Sequence, residues 1–180
     1  MQIKIKGPIG SFKYAKISGC KPLQTDFSAT TGKNTTFIWD FNDGTTIATP
    51  DSVVSHTFKS QGDYLPKMIL VDNNGCKVPI MGVDSIKVYG VLASFINPGS
   101  VVCDSGKVAF TNTSTSNDII TNYFWTFGDN ITSVLPNPVH NYTVTGNYPT
   151  QLLITSKNGC KDSVTIPSYV KVVKLSLIHI

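Results

Sequence analysis

Apolar side chains recur at every second position in short runs bounded by Gly, Asn and Asp. Such alternation puts successive side chains on opposite faces of a β-strand. In FIWDFNDG (37–44), Phe37, Trp39 and Phe41 therefore share one face, and in YFWTFGDN (123–130) Tyr123, Trp125 and Phe127 do the same. Three rings on one face, each burying roughly 150–250 Å², mark a strand turned toward a hydrophobic core. Ile38 and Phe124 then point outward. On the apolar strand that follows, Tyr64, Met68 and Leu70 take the core face with Leu152 and Ile154 of the second run, and Leu65, Ile69, Val71 and Leu153 fall outside. An outer face this apolar is either a contact surface, with Ile38, Phe124 and Leu153 on it, or a face covered by a loop, and the structural reading is the favoured one. No window of ten residues carries a helical stripe free of Gly, Pro or β-branched runs. The pattern predicts an all-β protein.

The pattern also occurs twice. Cys20, Trp39, His56, Gly62, Tyr64, Gly75 and Cys76 correspond to Cys103, Trp125, His140, Gly146, Tyr148, Gly159 and Cys160. From His to Gly is six residues in both copies, from Gly to Tyr two, and from Tyr to Cys twelve. The chain reads as a tandem repeat of about 84 residues, each copy long enough for one β-sandwich. Residues 7–90 form the first copy and 91–174 the second. IKIKGPIGSF (3–12) resembles IKVYGVLASF (86–95), so residues 1–6 read as the end of a preceding repeat. LSLIHI (175–180) matches the translation of a transposon adapter used in sequencing libraries, which marks residues 175–180 as a non-native tail on a metagenomic fragment.

Charge narrows the classes of partner. Only 14% of residues are charged, the net charge is +4, and all 15 basic residues are Lys. Nucleic-acid readers cluster Arg for bidentate contacts, and thinly spread Lys on strands instead protects sheet edges. No nucleic-acid partner is expected. No run approaches the ~20 apolar residues of a membrane helix, so no membrane insertion is expected of this segment, and MQIKIKGPIG lacks the apolar core of a signal peptide.

The repeated turn is the first place to look for chemistry. Asp40 and Asp43 flank Phe41 and invite a paired-carboxylate reading. The second copy has Thr126 in place of Asp40 and keeps only Asp129, so the acids read as structural. In Asn42-Asp43-Gly44 and Gly128-Asp129-Asn130, Gly and Asn supply positive φ and the Asp bonds backbone amides of the turn. His56 and His140 each stand without a second His nearby, which excludes a shared metal shell, and each is expected to bond a backbone carbonyl. Gly62-Asp63-Tyr64 and Gly146-Asn147-Tyr148 resemble the tyrosine corner of immunoglobulin-like sandwiches, whose hydroxyl caps the chain a few residues upstream. No nucleophile–base or metal constellation is present, and the chain is not expected to be an enzyme.

Together, WDFNDG, HTF and GDY in the first copy and WTFGDN, HNY and GNY in the second resemble the PKD (polycystic kidney disease) domain, whose hallmark is a WDFGDG turn followed by H-x-Y and G-x-Y. The first copy departs at Asn42 and Phe58, the second at Thr126 and Asn130. The resemblance implies two tandem immunoglobulin-like β-sandwiches with Trp39, Phe41, Asp43, His56, Tyr64, Trp125, Phe127, Asp129, His140 and Tyr148 as structural motif. The SGC and NGC segments further resemble repeats of large Bacteroidetes surface proteins. The resemblance implies a non-catalytic extracellular or cell-surface spacer or adhesion segment that meets a protein or carbohydrate ligand and neighbouring repeats of its own chain. The alternative is an accessory module that presses on the polysaccharide or fibrous-protein substrate of a secreted hydrolase. No cofactor is expected. Some PKD modules hold Ca²⁺, but no EF-hand-like cluster of oxygen ligands occurs here.

Four cysteines at two matched positions, Cys20, Cys76, Cys103 and Cys160, suggest disulfides in an oxidising compartment. Pairing within each repeat is the simplest connectivity and would stabilise by roughly 4 kcal/mol on the chain-entropy view. In an immunoglobulin-like path, however, the two cysteines of one repeat lie near opposite ends of a strand, ~25 Å apart. Cys20–Cys160 is the alternative, and free thiols are the third.

Overall fold

In the first copy, period-two alternation becomes strand. Leu23–Thr31 buries Leu23, Thr25 and Phe27 and exposes Gln24 and Asp26 between them. The computed structural model describes residues 7–32, 35–97, 99 and 101–174, so the expectations for residues 1–6 and 175–180 lie outside the described residues. The chain divides into two units, Met1–Tyr89 and Gly90–Ile180, and no helix occurs among the described residues. The all-β immunoglobulin-like reading holds for both.

The first unit is built from two antiparallel layers. One has three strands, Gly10–Tyr14, Leu23–Thr31 and Val53–Phe58, with Leu23–Thr31 in the middle. The other has four, in the order Thr46–Thr49, Thr35–Asp40, Lys67–Asp72, Lys77–Met81. The core lies between them: Phe27 of the first layer meets Trp39 and Phe41 of the second at ring-centroid distances of 5.9 and 5.0 Å. Trp39, Phe41, Met68 and Leu70 are fully buried, as their alternation requires. A ribbon completes the unit, with Ser18–Cys20 parallel and Gly62–Tyr64 antiparallel to Ile86–Tyr89.

The second unit carries a five-stranded sheet in the order Val101–Cys103, Lys161–Val173, Gly146–Ser156, Ile120–Thr126, Thr132–Ser133. Its other strands form three short pairs: Gly106–Ala109 with Val139–Tyr142, Val91–Leu92 with Thr115–Ser116, and Phe95–Ile96 with Thr111–Asn112. Trp125 is fully buried, 5.1 Å from Phe95 and 5.6 Å from Phe110 between ring centroids.

The strand opening at Gly-x-Tyr differs between the copies. In the second it runs unbroken from Gly146 to Ser156, with a register shift at Pro149. In the first it stops at Tyr64 and resumes at Lys67, after Pro66, pairing with a different partner on either side. Proline offers no N–H to a ladder, so each copy absorbs it by a bulge or a break.

Candidate functional site

The repeated turn closes in the same way in both units. Phe41 N–H donates to the Thr45 carbonyl at 3.3 Å, and Phe127 N–H to the Ile131 carbonyl at 3.2 Å. Two positions in each turn are left-handed: Asn42 (φ 62°) and Gly44 (90°) in the first, Gly128 (85°) and Asn130 (69°) in the second. Gly and Asn have traded places, which works because these are the residues that tolerate that region best. Between them, Asp43 Oδ1 accepts from the Thr45 amide at 3.0 Å and its hydroxyl at 2.6 Å, and Asp129 Oδ1 accepts from the Ile131 amide at 3.2 Å.

The other carboxylate oxygen reaches across to the histidine. Asp43 Oδ2 lies 2.7 Å from His56 Nε2, and Asp129 Oδ2 lies 2.7 Å from His140 Nε2. The backbone carbonyl expected as the partner of each histidine is therefore replaced by the turn's own aspartate. The reason is packing: each imidazole lies flat on the phenylalanine of the turn, with centroids 3.9 Å apart and planes 3° apart for Phe41–His56, and 4.3 Å and 5° for Phe127–His140. That pose delivers the ring edge to the carboxylate oxygen left over from capping. Burial pushes the Asp43 carboxyl up, but hydrogen bonds from Thr45 and His56 outweigh it and hold the group below its ordinary value of 3.8.

The stack continues beyond the histidine. His56 meets Phe58 edge-on at 4.7 Å, and Phe58 meets Tyr64 at 4.8 Å. His140, Tyr142 and Tyr148 repeat this at 4.5 and 4.7 Å. Tyr64 donates to the Ser60 carbonyl at 3.0 Å and Tyr148 to the Val144 carbonyl at 2.8 Å, each four residues upstream, as a tyrosine corner does. The glycine two residues before each tyrosine lies against its ring, since an added Cβ would come within 3.0 Å of Tyr64 and 3.2 Å of Tyr148. Tyr142, where the first copy has Phe58, donates to the Phe127 carbonyl at 3.1 Å, and burial pushes its hydroxyl up to about 12. Turn, histidine and tyrosine were separate signals in the sequence, and the fold joins them in one continuous stack of rings.

This stack anchors a turn. Each imidazole has one face covered and Nε2 held by a carboxylate, and neither is hydrogen-bonded to a nucleophile among the described residues. Asp40 is spent on structure as well: Oδ1 accepts from the Asn42 amide at 2.9 Å, and Oδ2 pairs with Lys67 Nζ at 2.8 Å, which holds this carboxyl low. No group of three or more His, Cys, Asp or Glu that could hold a metal ion occurs among the described residues.

The sequence matches the PKD domain over residues 9–88 and again over residues 92–172. The chain belongs to the PKD domain family. PKD domains are generally non-catalytic modules, typically extracellular, that serve adhesion or spacing and also occur in secreted proteases. Human polycystin-1 is 24% identical over 143 residues, which cover 76% of this chain and 3% of that protein. The PKD1 domain of the Vibrio cholerae metalloprotease PrtV is 28% identical, with a TM-score of 0.41, covering 46% of this chain and 96% of that one. The ectodomain of mouse nectin-like molecule 4 is 10% identical, with a TM-score of 0.45, covering 96% of this chain and 66% of that one. No helix among the described residues is long and apolar enough to cross a membrane.

Away from the shared stack, the outer faces of the two PKD domains differ. Ile38 pairs across strands with Ile69 and with Ala48, beside the Asp40–Lys67 ion pair. Phe124 is 43% exposed, pairs with the half-buried Leu153, and lines with Val134, Asn122 and Thr155 a groove of about 400 Å³. The next row, Thr132–Thr126–Gln151–Thr165, is uncharged and polar and crosses four strands. Sequence reasoning did not find that row. Its members alternate outward on separate strands, but only the pairing register aligns them.

The cysteines overturn the simplest connectivity. Cys20 and Cys160 are disulfide-bonded, and Cys76 and Cys103 are exposed free thiols. Pairing within each repeat therefore does not form. In the first unit Cys20 is level with Tyr89, next to the Gly62 end of the ribbon, while Cys76 follows the far end of Lys67–Asp72. Ten residues of extended chain span on the order of 30 Å, far beyond the ~7 Å limit between bonded Cα atoms.

Proposed function

We propose that these two PKD domains form a spacer or adhesion segment of an extracellular or cell-surface protein, and that they perform no catalysis. One observation carries the reading. The His56–Asp43 and His140–Asp129 pairs, shared by both copies, are spent on the same turn-to-strand tie in the same geometry. What differs between the copies is the outer face, where a ligand would meet the domain: an aliphatic row with an ion pair in the first, an aromatic row with a hydroxyl and amide row in the second. Common residues build the module, and contacts particular to one copy are left to the surface. A disulfide fits secretion into an oxidising compartment.

A second reading follows from Phe124. An exposed ring flanked by Asn122, Thr155 and Leu153 suits a flat apolar ligand face with hydroxyls around it, the surface an accessory module of a secreted hydrolase would press onto polysaccharide or fibrous protein. Retention of the purified chain on chitin, cellulose and collagen separates the two readings, with Phe124→Ala as control. A spacer is expected at bead background on all three, with or without Phe124. Retention that Phe124→Ala abolishes while melting is unchanged would replace the spacer reading by the accessory one.

A further inference from the structure

Each unit carries one Asn-Gly pair in the turn of a hairpin. Asn74-Gly75 joins the strands Lys67–Asp72 and Lys77–Met81, and Asn158-Gly159 joins Gly146–Ser156 and Lys161–Val173. The two turns close alike. Asp72 N–H donates to the Cys76 carbonyl at 3.1 Å and Ser156 N–H to the Cys160 carbonyl at 2.8 Å. Gly75 N–H donates to the Asp72 carbonyl and Gly159 N–H to the Ser156 carbonyl, both at 2.9 Å. Both glycines are left-handed, at φ 80° and 82°, and a Cβ on either would meet nothing within 4 Å. What holds the asparagines differs. Among the described residues, every hydrogen bond of Asn74, Gly75 and Cys76 runs to Asp72, and the exposed Asn74 carboxamide forms none. Asn158 is tied to a separate loop. Asp118 Oδ2 accepts from its backbone amide at 2.8 Å, and the same carboxylate takes a hydrogen bond from its side chain. Lys157 N–H adds a bond to the Ile119 carbonyl at 2.8 Å. Aligning Trp39 with Trp125 puts Gly32 where the second copy has Asp118, so the first copy has no acid at that position.

We propose that Asn74 is a site of spontaneous deamidation and that Asp118 protects Asn158 from the same reaction. A glycine after the asparagine favours the chemistry, because no side chain beside its amide nitrogen obstructs ring closure. The Gly75 nitrogen gives its proton to solvent base and attacks Asn74 Cγ. A new N–Cγ bond closes a five-membered imide, the bond from Cγ to the side-chain nitrogen breaks, and ammonia leaves with a proton from water. Water then opens the imide. Cleavage at Cγ leaves aspartate at position 74, and cleavage at the backbone carbonyl leaves isoaspartate, with the chain running through the former side chain. Either product sets a second carboxylate two residues from Asp72. Isoaspartate also lengthens the backbone by one methylene and so breaks the Asp72–Cys76 closure. The attack requires the turn to open first, since the Asp72 carbonyl holds Gly75 N–H. In an exposed turn tied only to Asp72, such opening belongs to the least stable part of the fold. At Asn158 the same opening must also give up hydrogen bonds to a charged carboxylate, each of which slows it by roughly tenfold or more.

The test incubates the 180-residue chain in mildly alkaline buffer and follows the peptides holding positions 74 and 158 by mass spectrometry, with isoaspartate counted by a protein isoaspartate methyltransferase. Position 74 is expected to convert at least about tenfold faster than position 158. In concentrated urea with dithiothreitol the two are expected to convert at closely similar rates. Asp118→Ala is expected to raise the rate at position 158 toward that at position 74. Asp118→Asn, of the same size but uncharged, is expected to act in the same direction while circular dichroism and the rate at position 74 stay unchanged. Equal rates in the folded chain, or no conversion at position 74, would overturn the proposal. A preference for position 74 that survives in urea would overturn it too, since the cause would then be the neighbours Asn73 and Lys157 rather than the fold. Position 158 staying as slow in both Asp118 variants as in wild type would overturn the protective role of Asp118.

Discussion

Gly44 and Gly128 both lie at positive φ in matching turns, yet their surroundings differ. A Cβ at Gly44 meets nothing within 4 Å, whereas at Gly128 it would fall 2.6 Å from the Pro149 carbonyl oxygen and 2.7 Å from Pro149 Cδ. Asparagine is the informative substitution, because Asn42 and Asn130 already hold positive φ in these turns. Gly44→Asn then carries only the left-handed penalty, below about 1 kcal/mol for Asn. Gly128→Asn adds overpacking against a backbone that cannot swing aside, about 1–3 kcal/mol more. At about 4–8 °C per kcal/mol for a domain of this size, the Gly128 variant melts several degrees below the Gly44 variant. Differential scanning calorimetry of both against wild type reads the difference. Equal losses, or the larger loss at Gly44, would refute the reasoning that close approach and not φ alone holds Gly128.

Asp43 gives a pH signature. Its carboxyl is held below 3.8 in the folded unit and sits near 3.9 unfolded, so its contribution is fully present above about pH 4 and is lost as the pH falls through the folded value. Asp43→Asn is expected to flatten the acid limb of urea stability, and an unchanged slope there contradicts the tie to Thr45 and His56. Tyr64→Phe and Tyr148→Phe each remove one hydrogen bond to an upstream carbonyl and are expected to lower stability by about 1 kcal/mol. A thermal melt in which neither variant shifts would mean the corner hydroxyl carries no stability.

Much of this was legible in the sequence, and the parts that were not have identifiable physical reasons. Alternation fixed the faces of Trp39, Trp125, Met68, Leu70, Leu152 and Ile154, all of which are fully buried. Turn chemistry anticipated positive φ at the Gly and Asn of each turn, and the Gly-x-Tyr spacing anticipated the corner bond. The partner of His56 was missed because alternation assigns a side chain to a face without naming its neighbour across the core; stacking on Phe41 decided that. The break at Leu65–Pro66 was missed because the alternation that puts Tyr64, Met68 and Leu70 on one face carries straight across it. Cysteine state depends on distance through space, and the nearly equal spacings of Cys20–Cys76 and Cys103–Cys160 along the chain encode none.

Residues kept for chemistry can usually be removed at little cost in stability, or with a gain, whereas residues that hold a fold cannot. The most direct measurement is therefore urea unfolding of His140→Ala followed by tryptophan emission, in which Trp125, fully buried, reports the same unit and Trp39 the other. Removing the ring stacked on Phe127 and its bond to Asp129 is expected to cost about 2–4 kcal/mol. A variant as stable as wild type, within about 0.5 kcal/mol, would contradict the claim that the shared histidine–aspartate pair exists to build the domain.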